Sequence, residues 1–244
     1  YRAQLHDERT EQDGIRFAGL KPVEVSVKVD GDKVKPISEH LIGIFFEDIN
    51  YAADGGLYAE LVQNRDFEYS SQDHRNWNSQ YAWSVKNGNA VFTIAEDNPI
   101  HVNNPHYAVL DIQQPGASLV NVGFDGIVVK KGEKYDFSFF GKMLQGKGGK
   151  VKVSLVNKDG KEIAQTMVKV TAADWKKLKA VMSVTEDAAD ATLAVTPQTT
   201  GKYAFDMISL FPQNTFKGRK NGLRADLAQT LADMKPRFVR FPGG

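Results

Sequence analysis

Several features that are common in proteins are missing from this sequence, and each absence excludes a class of function. None of the 244 residues is a cysteine, which excludes a disulfide framework, a thiol nucleophile and a cysteine-ligated metal site. The 31 basic and 30 acidic residues nearly balance, so no strong field attracts nucleic acid or an anionic membrane. Apolar runs stay far below the roughly 20 residues of a membrane-spanning helix. We therefore expect no nucleic-acid partner and no membrane partner.

Neither end of the chain resembles a natural terminus. The first residue is Tyr1 instead of methionine, and no signal peptide is visible. Residues 237–241 (RFVRF) alternate charged and apolar side chains as a strand does, and residues 242–244 (PGG) are typical of a turn. Because a natural terminus is usually a completed element or a polar tail, we expect this chain to be a piece of a longer protein.

Most of the chain is predicted to be β structure. With 41% hydrophobic and 25% charged residues, the composition fits a globular protein with a substantial core. Short strand-like segments with turn signals between them recur from about residue 79 to residue 212, and residues 157–160 (NKDG) are a strong hairpin turn. About ten such segments with almost no helical period predict an antiparallel, jelly-roll-like β-sandwich. The segments are YAWSV, AVFTIA, YAVLDI, SLVNVGF, YDFSFFGKML, KVKVSLVN, KEIAQTMVKV, WKKLKAVMSV, ATLAVTP and YAFDMISLF.

The residues before the sandwich predict a different mixture of elements. Within residues 23–34, four valines from Val23 to Val29 alternate with polar residues, and the tight-turn signal Asp30-Gly31 follows them, which predicts a half-buried hairpin. Residues 40–49 (HLIGIFFEDI) are typical of a more buried strand, and residues 55–68 carry apolar pairs at i, i+4 that predict a helix. Residues 1–22 fit poorly with the rest of the chain, and are either a tail or the last strand of a preceding domain.

The residues after the sandwich predict a helix and then a strand. A stripe of leucines and Met234 over 221–235 has helical spacing, and Pro236 ends it before the strand at 237–241. This order is typical of the beginning of an α/β barrel. Because its apolar face needs a partner, we expect this end to pack on the sandwich, to swap into a neighbouring chain or to be poorly ordered.

Two stretches resemble a known family. Residues 43–68 (GIFFEDINYAADGGLYAELVQNRDFE) and 210–244 (LFPQNTFKGRKNGLRADLAQTLADMKPRFVRFPGG) closely resemble α-L-arabinofuranosidases of glycoside hydrolase family 51. The sandwich resembles the carbohydrate-binding module of the family 4/9 type that some members carry as an insertion. The resemblance implies four parts: a tail or remnant of a preceding domain (1–22), an N-terminal β segment and helix of the glycosidase (23–74), the module (75–213), and the truncated start of the catalytic (β/α)8 barrel (214–244).

The resemblance also implies a reaction, the retaining hydrolysis of terminal arabinofuranosyl residues in hemicellulose or pectin side chains. Retaining glycosidases place a nucleophile and an acid/base carboxylate about 5–5.5 Å apart. In this family both are glutamates on later barrel strands, and the acid/base glutamate comes directly after an asparagine. Since the sequence contains no Asn-Glu pair, we expect no catalytic residue in this chain and no hydrolysis by it.

Two residues match substrate-binding positions of the family. Glu47, in FFED, corresponds to a glutamate that hydrogen-bonds arabinofuranose hydroxyls, and Arg240, in VRFPGG, corresponds to an arginine near the same sugar. A carboxylate can accept hydrogen bonds from two sugar hydroxyls, and charged partners strengthen such bonds. The structural alternatives are a surface charge at a strand end for Glu47 and a salt bridge to a neighbouring strand for Arg240.

The sandwich contains an aromatic-rich segment that could bind a glycan. Residues 74–83 (HRNWNSQYAW) contain Trp77, Tyr81 and Trp83 with amides between them, and aromatic rings stack on sugar faces. The alternative for Trp83 is a core position, because it alternates with Val85 in a strand. Trp175 is also expected in the core.

Metal sites are only weakly indicated. The five histidines show no metal-ligand spacing, so no cofactor is expected. Asp206 lies near where modules of this type can hold a structural Ca2+, but calcium needs six to eight oxygen ligands, and one aspartate does not establish a site.

These patterns leave three hypotheses for the function. The first is the N-terminal part of an extracellular or periplasmic bacterial arabinofuranosidase whose module binds an arabinose-containing polysaccharide or oligosaccharide. In the second, the sandwich is a scaffold that shapes the barrel mouth and binds no sugar. The third, an independent binding protein, fails to explain the motifs NRDFE and RFPGG. A homo-oligomer or a swapped C-terminal helix is compatible with the first two.

Overall fold

The computed structural model describes residues 2–242, with side chains from residue 9 onward. Gly243 and Gly244, which belong to the turn predicted at the end of the chain, lie outside the described residues. The chain divides into two compact units, one up to Leu41 and one from Ile42 onward. The domain boundaries predicted after residues 22, 74 and 213 stay predictions. Within the described range, no helix has the length and apolar character needed to cross a membrane.

The first unit differs from the structures predicted for it. Arg2–Phe17 form helix α1, so the interpretation of residues 1–22 as a strand is wrong. The turn in 23–34 is present, since the Lys33 amide donates to the Asp30 carbonyl (3.3 Å), but no strands flank it. The four alternating valines are 77–85% exposed. The predicted half-buried hairpin is wrong because an alternating pattern forms a strand only where a second surface buries one face.

The second unit contains the predicted antiparallel β-sandwich. After the short strand β1 (Ile44–Phe45), two sheets are built from eleven strands. These are β2 (Trp83–Lys86), β3 (Ala90–Ala95), β4 (Tyr107–Ile112), β5 (Ser118–Asn121), β6 (Ile127–Val129), β7 (Lys134–Gln145), β8 (Gly149–Val156), β9 (Glu162–Val170), β10 (Lys176–Ser183), β11 (Ala188–Pro197) and β12 (Gly201–Pro212). Each predicted segment overlaps one of these strands, whereas β6 was not predicted.

The strand order explains where the core lies. One sheet has the order β10-β7-β12-β4-β3 and the other β2-β5-β11-β8-β9, with β6 paired to β11. On β7 the buried residues Tyr135, Phe137 and Phe139 alternate with the partly exposed Asp136 and Ser138. The inward rings of one sheet therefore meet the inward aliphatic residues of the other in one shared hydrophobic core, as is typical of sandwiches.

The hairpin turn predicted at residues 157–160 is confirmed between β8 and β9. The Gly160 amide donates to the Asn157 carbonyl (3.0 Å). Gly160 has φ of +80°, a left-handed conformation that glycine adopts without steric cost. The local sequence therefore fixes this reversal.

The helix and the strand predicted after the sandwich are also present. Helix α2 spans Ala225–Asp233, and β13 (Val239–Arg240) pairs in parallel with β1. The start of α2 is fixed by the Arg224 amide, which donates to the Leu57 carbonyl (2.9 Å). Several apolar side chains in this part of the chain remain 37–65% exposed: Leu223, Leu227, Met234, Phe238 and Phe241. A partner for this face stays a prediction.

Residues 55–68, predicted to be a helix, are extended chain and turns. The Leu61 amide donates to the Leu210 carbonyl (3.0 Å), and the Ala59 amide donates to the Gly222 carbonyl (3.2 Å). These amides are therefore unavailable to the carbonyls four residues earlier, which a helix requires. The helix prediction is wrong because bonds to distant segments override the local apolar spacing.

Candidate functional site

The parallel pair of β1 and β13 positions Glu47 and Arg240, the two residues predicted to bind the sugar. Phe45 lies opposite Arg240 in the register, and the Phe46 amide donates to the Arg240 carbonyl (3.0 Å). Glu47 comes next, at the carboxyl end of β1, and is half-buried. Because the two strands run in the same direction, Glu47 and Arg240 reach the same edge of the pair.

The surroundings of Arg240 test the alternative that its side chain forms a salt bridge to a neighbouring strand. Its guanidinium carbon lies 5.1 Å from the ring centroid of Phe45, a cation–π contact that orients the side chain. In the described part of the chain, no carboxylate lies within ion-pair distance of Arg240. The salt bridge to a neighbouring strand that we considered for Arg240 is therefore not found among these residues, and the exposed guanidinium keeps its hydrogen-bond donors available.

The loop after Glu47 is held in a defined conformation. The Asp48 carboxylate accepts a hydrogen bond from the Ala53 amide (Oδ1 to N, 2.9 Å). Asn50 and Tyr51 have φ of +52° and +60°, values that cost energy in residues other than glycine. Asp48 thus has a structural role, since its carboxylate closes the loop that directs Tyr51.

The aromatic cluster, which we define as Tyr69, Trp77 and Tyr81, brings together two of the three residues predicted as a glycan platform. The Tyr69 and Trp77 rings are stacked, with centroids 4.0 Å apart and an interplanar angle of 17°. The Trp77 and Tyr81 centroids are 5.8 Å apart. Trp77 and Tyr81 are both half-buried, so Tyr69 covers one face of Trp77 while part of the cluster stays accessible.

Asn64 organises the aromatic cluster, and the sequence did not predict this role. Its side-chain amide donates to the carbonyls of Ser79 (3.1 Å) and Tyr81 (3.0 Å), and its Oδ1 accepts from the Tyr69 amide (3.2 Å). Asn64 is 3% exposed, and a buried amide with these partners fixes the backbone on both sides of the cluster. Tyr69 was not predicted either, although it lies only eight residues before Trp77.

The aromatic cluster is continuous with the loop after Glu47. Burial, and then the neighbouring hydroxyl of Tyr51, raises the pKa of Tyr81. The Tyr51 ring also meets the Phe124 ring edge-on, with centroids 5.3 Å apart. Burial and then the negative charge of Asp54 raise the pKa of Tyr69 to about 12. These phenols are therefore neutral hydrogen-bonding groups at physiological pH.

Trp83 does not belong to this surface, and its assignment to the glycan platform is wrong. It is 7% exposed, and its indole nitrogen donates to the Asn64 carbonyl (2.9 Å). The alternation with Val85 places it in the core, as the alternative interpretation held. Trp175 is half-buried on the outer face of the five-stranded sheet, where its ring lies 4.4 Å from the Lys142 ammonium.

The structure does not support the calcium site suggested for Asp206. No group of three or more acidic or histidine side chains is arranged to hold a metal ion within residues 9–242, whose side chains the structure describes. The fully buried Asp206 carboxyl accepts from the Met207 amide (2.7 Å) and from the Asn104 side chain (3.0 Å). Burial, with smaller contributions from Asp66 and Glu68, raises its pKa to about 8. At neutral pH this carboxyl therefore holds a proton.

The family model described as a carbohydrate binding domain matches residues 59–202 of this chain. The chain is 39% identical over 223 residues to an extracellular exo-α-L-arabinofuranosidase of Streptomyces chartreusis, covering 91% of this chain and 26% of that protein. It is 32% identical over 235 residues to α-L-arabinofuranosidase 1 of Arabidopsis thaliana, covering 90% of this chain and 34% of that protein.

A solved structure is also similar to this chain. The arabinose-bound structure of a family 51 α-L-arabinofuranosidase superimposes with a TM-score of 0.73 at 33% identity, covering 84% of this chain and 35% of that one. The chain thus spans about a quarter to a third of the relatives named here. It belongs to the carbohydrate-binding domain family, and its homologues are α-L-arabinofuranosidases of glycoside hydrolase family 51.

Proposed function

We propose that this chain is the N-terminal part of an α-L-arabinofuranosidase that removes terminal non-reducing arabinofuranosyl residues from hemicellulose or pectin side chains with retention of configuration. In this proposal residues 1–244 supply sugar-binding side chains and a glycan-binding sandwich. The two catalytic glutamates come from later barrel strands, so this part of the protein binds glycan and does not hydrolyse it.

The observation that carries the proposal is the parallel pairing of β1 with β13. Strand ends at the carboxyl edge of such pairs are where (β/α)8 barrels gather their ligand-binding residues. Glu47 would accept hydrogen bonds from two hydroxyls of the arabinofuranose ring, and Arg240 would donate to a ring or hydroxyl oxygen of the same sugar. Charge on each partner makes these hydrogen bonds stronger than neutral ones.

The sandwich would contact the glycan through the accessible parts of Trp77 and Tyr81. The loop from Glu47 to Tyr51 spans four residues, which limits the distance between their Cα atoms to about 14 Å. Since Tyr51 adjoins Tyr81, the aromatic cluster lies within a few sugar residues of Glu47. One oligosaccharide could therefore contact both.

A second candidate function, a scaffold that binds no sugar, is favoured by a different observation. Other rings of this chain cover much of the aromatic surface, since Tyr69 stacks on Trp77 and Tyr51 contacts Phe124. In that case the cluster would only hold the loop after Glu47 in place and shape the mouth of the barrel.

Replacing Trp77 with alanine separates the two candidates. Residues 1–244 are titrated calorimetrically with an arabinoxylan oligosaccharide. If Trp77 supplies a stacking face, the W77A variant should bind about two- to tenfold more weakly, since an aromatic stacking contact contributes about 0.5–1.5 kcal/mol. The matched control is W175A, which removes a half-buried tryptophan from the five-stranded sheet. A loss of affinity in W175A but not in W77A would contradict the glycan platform. If the unmodified chain does not bind the oligosaccharide, the scaffold is favoured.

An extracellular location is part of the proposal. The relative from Streptomyces chartreusis is named as extracellular. Relatives also occur in a plant and in several Aspergillus species, so a bacterial origin, a periplasmic location and a homo-oligomer or swapped helix stay predictions.

A further inference from the structure

A basic groove lies on the outer face of the five-stranded sheet. It has a volume of about 330 Å³, within the range of small-molecule sites, which is about 300–1,000 Å³. Strands β7, β10 and β12 supply its floor, and the turn before α2 supplies one wall. None of these residues belongs to the aromatic cluster or to the β1–β13 edge.

The strand register explains how the groove acquires its polar lining. Lys179 lies opposite Ser138 on the neighbouring strand, and Ser138 lies opposite Ser209 on the next, so the three side chains form one row on the same face. Lys177 lies two residues before Lys179 on β10 and therefore points to the same face. Lys220, from the turn, also lines the groove.

The charges in the groove are unbalanced. Lys177, Lys179 and Lys220 line it together with a single carboxylate, Asp136. Asp136 accepts a hydrogen bond from the Gln213 side chain (2.8 Å). Among residues 9–242, whose side chains the structure describes, none of the three lysines lies within ion-pair distance of a carboxylate. A concave surface with surplus positive charge attracts an anionic ligand.

The remaining lining indicates what kind of anion fits. Ser138 and Asn221 offer hydroxyl and amide groups, and the half-exposed Val181 contributes apolar surface. A sugar ring presents hydroxyls at its rim and C–H groups on its faces, whereas a bare inorganic anion has no C–H face to pack on the apolar surface. We propose that this groove binds a uronic-acid residue of an acidic glycan, with its carboxylate held by Lys177, Lys179 and Lys220. This inference rests on the proposed carbohydrate function and names an acidic substrate class for it.

The test is a calorimetric titration of residues 1–244 with de-esterified tri-galacturonate. We expect binding that weakens about tenfold in the double variant K177Q/K179Q, since each exposed charge pair contributes a factor of about two to five. The matched control is K150Q/K169Q, which removes two exposed lysines paired across β8 and β9 in the other sheet. This control should bind as the unmodified chain does.

Further ligands distinguish the possible outcomes. Neutral xylotriose should bind at least tenfold more weakly than tri-galacturonate at about 20 mM salt, and tri-galacturonate binding should weaken at about 300 mM salt as the charges are screened. Equal affinity for a sulfated trisaccharide would overturn the assignment to uronates. An equal loss of affinity in K177Q/K179Q and K150Q/K169Q would overturn the groove as the binding site, because the overall positive charge alone would then explain the binding. Arabinoxylan binding through Trp77 should survive K177Q/K179Q, so failure of this inference is distinguishable from failure of the proposed function.

Discussion

Replacement of Glu60 with alanine is expected to lower the free energy of unfolding by about 3–5 kcal/mol, because it leaves several buried donors without an acceptor. Glu60 is 2% exposed, and the Ser209 hydroxyl donates to its carboxylate. Three backbone amides also donate to it, those of Leu61 (3.0 Å), Val62 (3.1 Å) and Leu210 (2.8 Å). Burial raises the pKa of Glu60 despite these hydrogen bonds.

The Glu60 carboxylate also connects segments that are far apart in the sequence. Its carboxylate ties the extended segment after β1 to β12, and therefore connects the β1–β13 edge with the sandwich. Chemical denaturation monitored by circular dichroism measures the loss. Glu60→Gln is the matched control, because its remaining carbonyl still accepts from the amides and the loss should be about 1 kcal/mol. A loss below about 1 kcal/mol in the alanine variant would refute this role of Glu60.

Stability should fall as the pH rises toward 8, and Asp206 should cause much of the fall. The pKa of its carboxyl is about 8 in the folded chain, against an ordinary value of 3.8. Between these values the folded state holds a proton that the unfolded state has released, so the free energy of unfolding decreases with increasing pH. The expected decrease from about pH 5 to about pH 8 is on the order of 2–4 kcal/mol.

The Asp206→Asn variant isolates this effect. An asparagine cannot ionise, so the difference in unfolding free energy between the variant and the unmodified chain should grow in favour of the variant as the pH rises. Thermal or urea unfolding at several pH values, with a chelator present, measures the difference. Parallel pH profiles would contradict a buried, protonated Asp206. A calcium-dependent gain at neutral pH that D206N abolishes would instead revive the calcium site.

The sandwich could be predicted because its strands carry their own signals. Strands such as β7 alternate inward rings with outward polar residues, and the turn at residues 157–160 has the composition that its backbone requires. Strand β6 was not predicted because three residues give too short a pattern. Valines in 23–34 carry the same alternating signal without forming strands, because the pattern does not say whether a partner surface exists.

The candidate site was predictable only in part. The resemblance pointed to Glu47 and Arg240, and the helix and strand predicted after the sandwich are consistent with their meeting at one edge. Asn64 and Glu60 carry no comparable signal, because their importance arises from carbonyls and amides far away in the sequence. The helical spacing in 55–68 was misleading for the same reason, since bonds to Leu210 and Gly222 decide that backbone.

We propose that residues 1–244 bind arabinose-containing glycan and that cleavage needs residues outside them. The most direct test combines a calorimetric titration of this chain with arabinoxylan and arabinan oligosaccharides and chromatographic analysis of the same samples. The account predicts saturable binding to at least one of them with no arabinose released. Release of arabinose would contradict it, because it would require a catalytic carboxylate pair within this chain, and absence of binding to both would leave the sandwich as a scaffold.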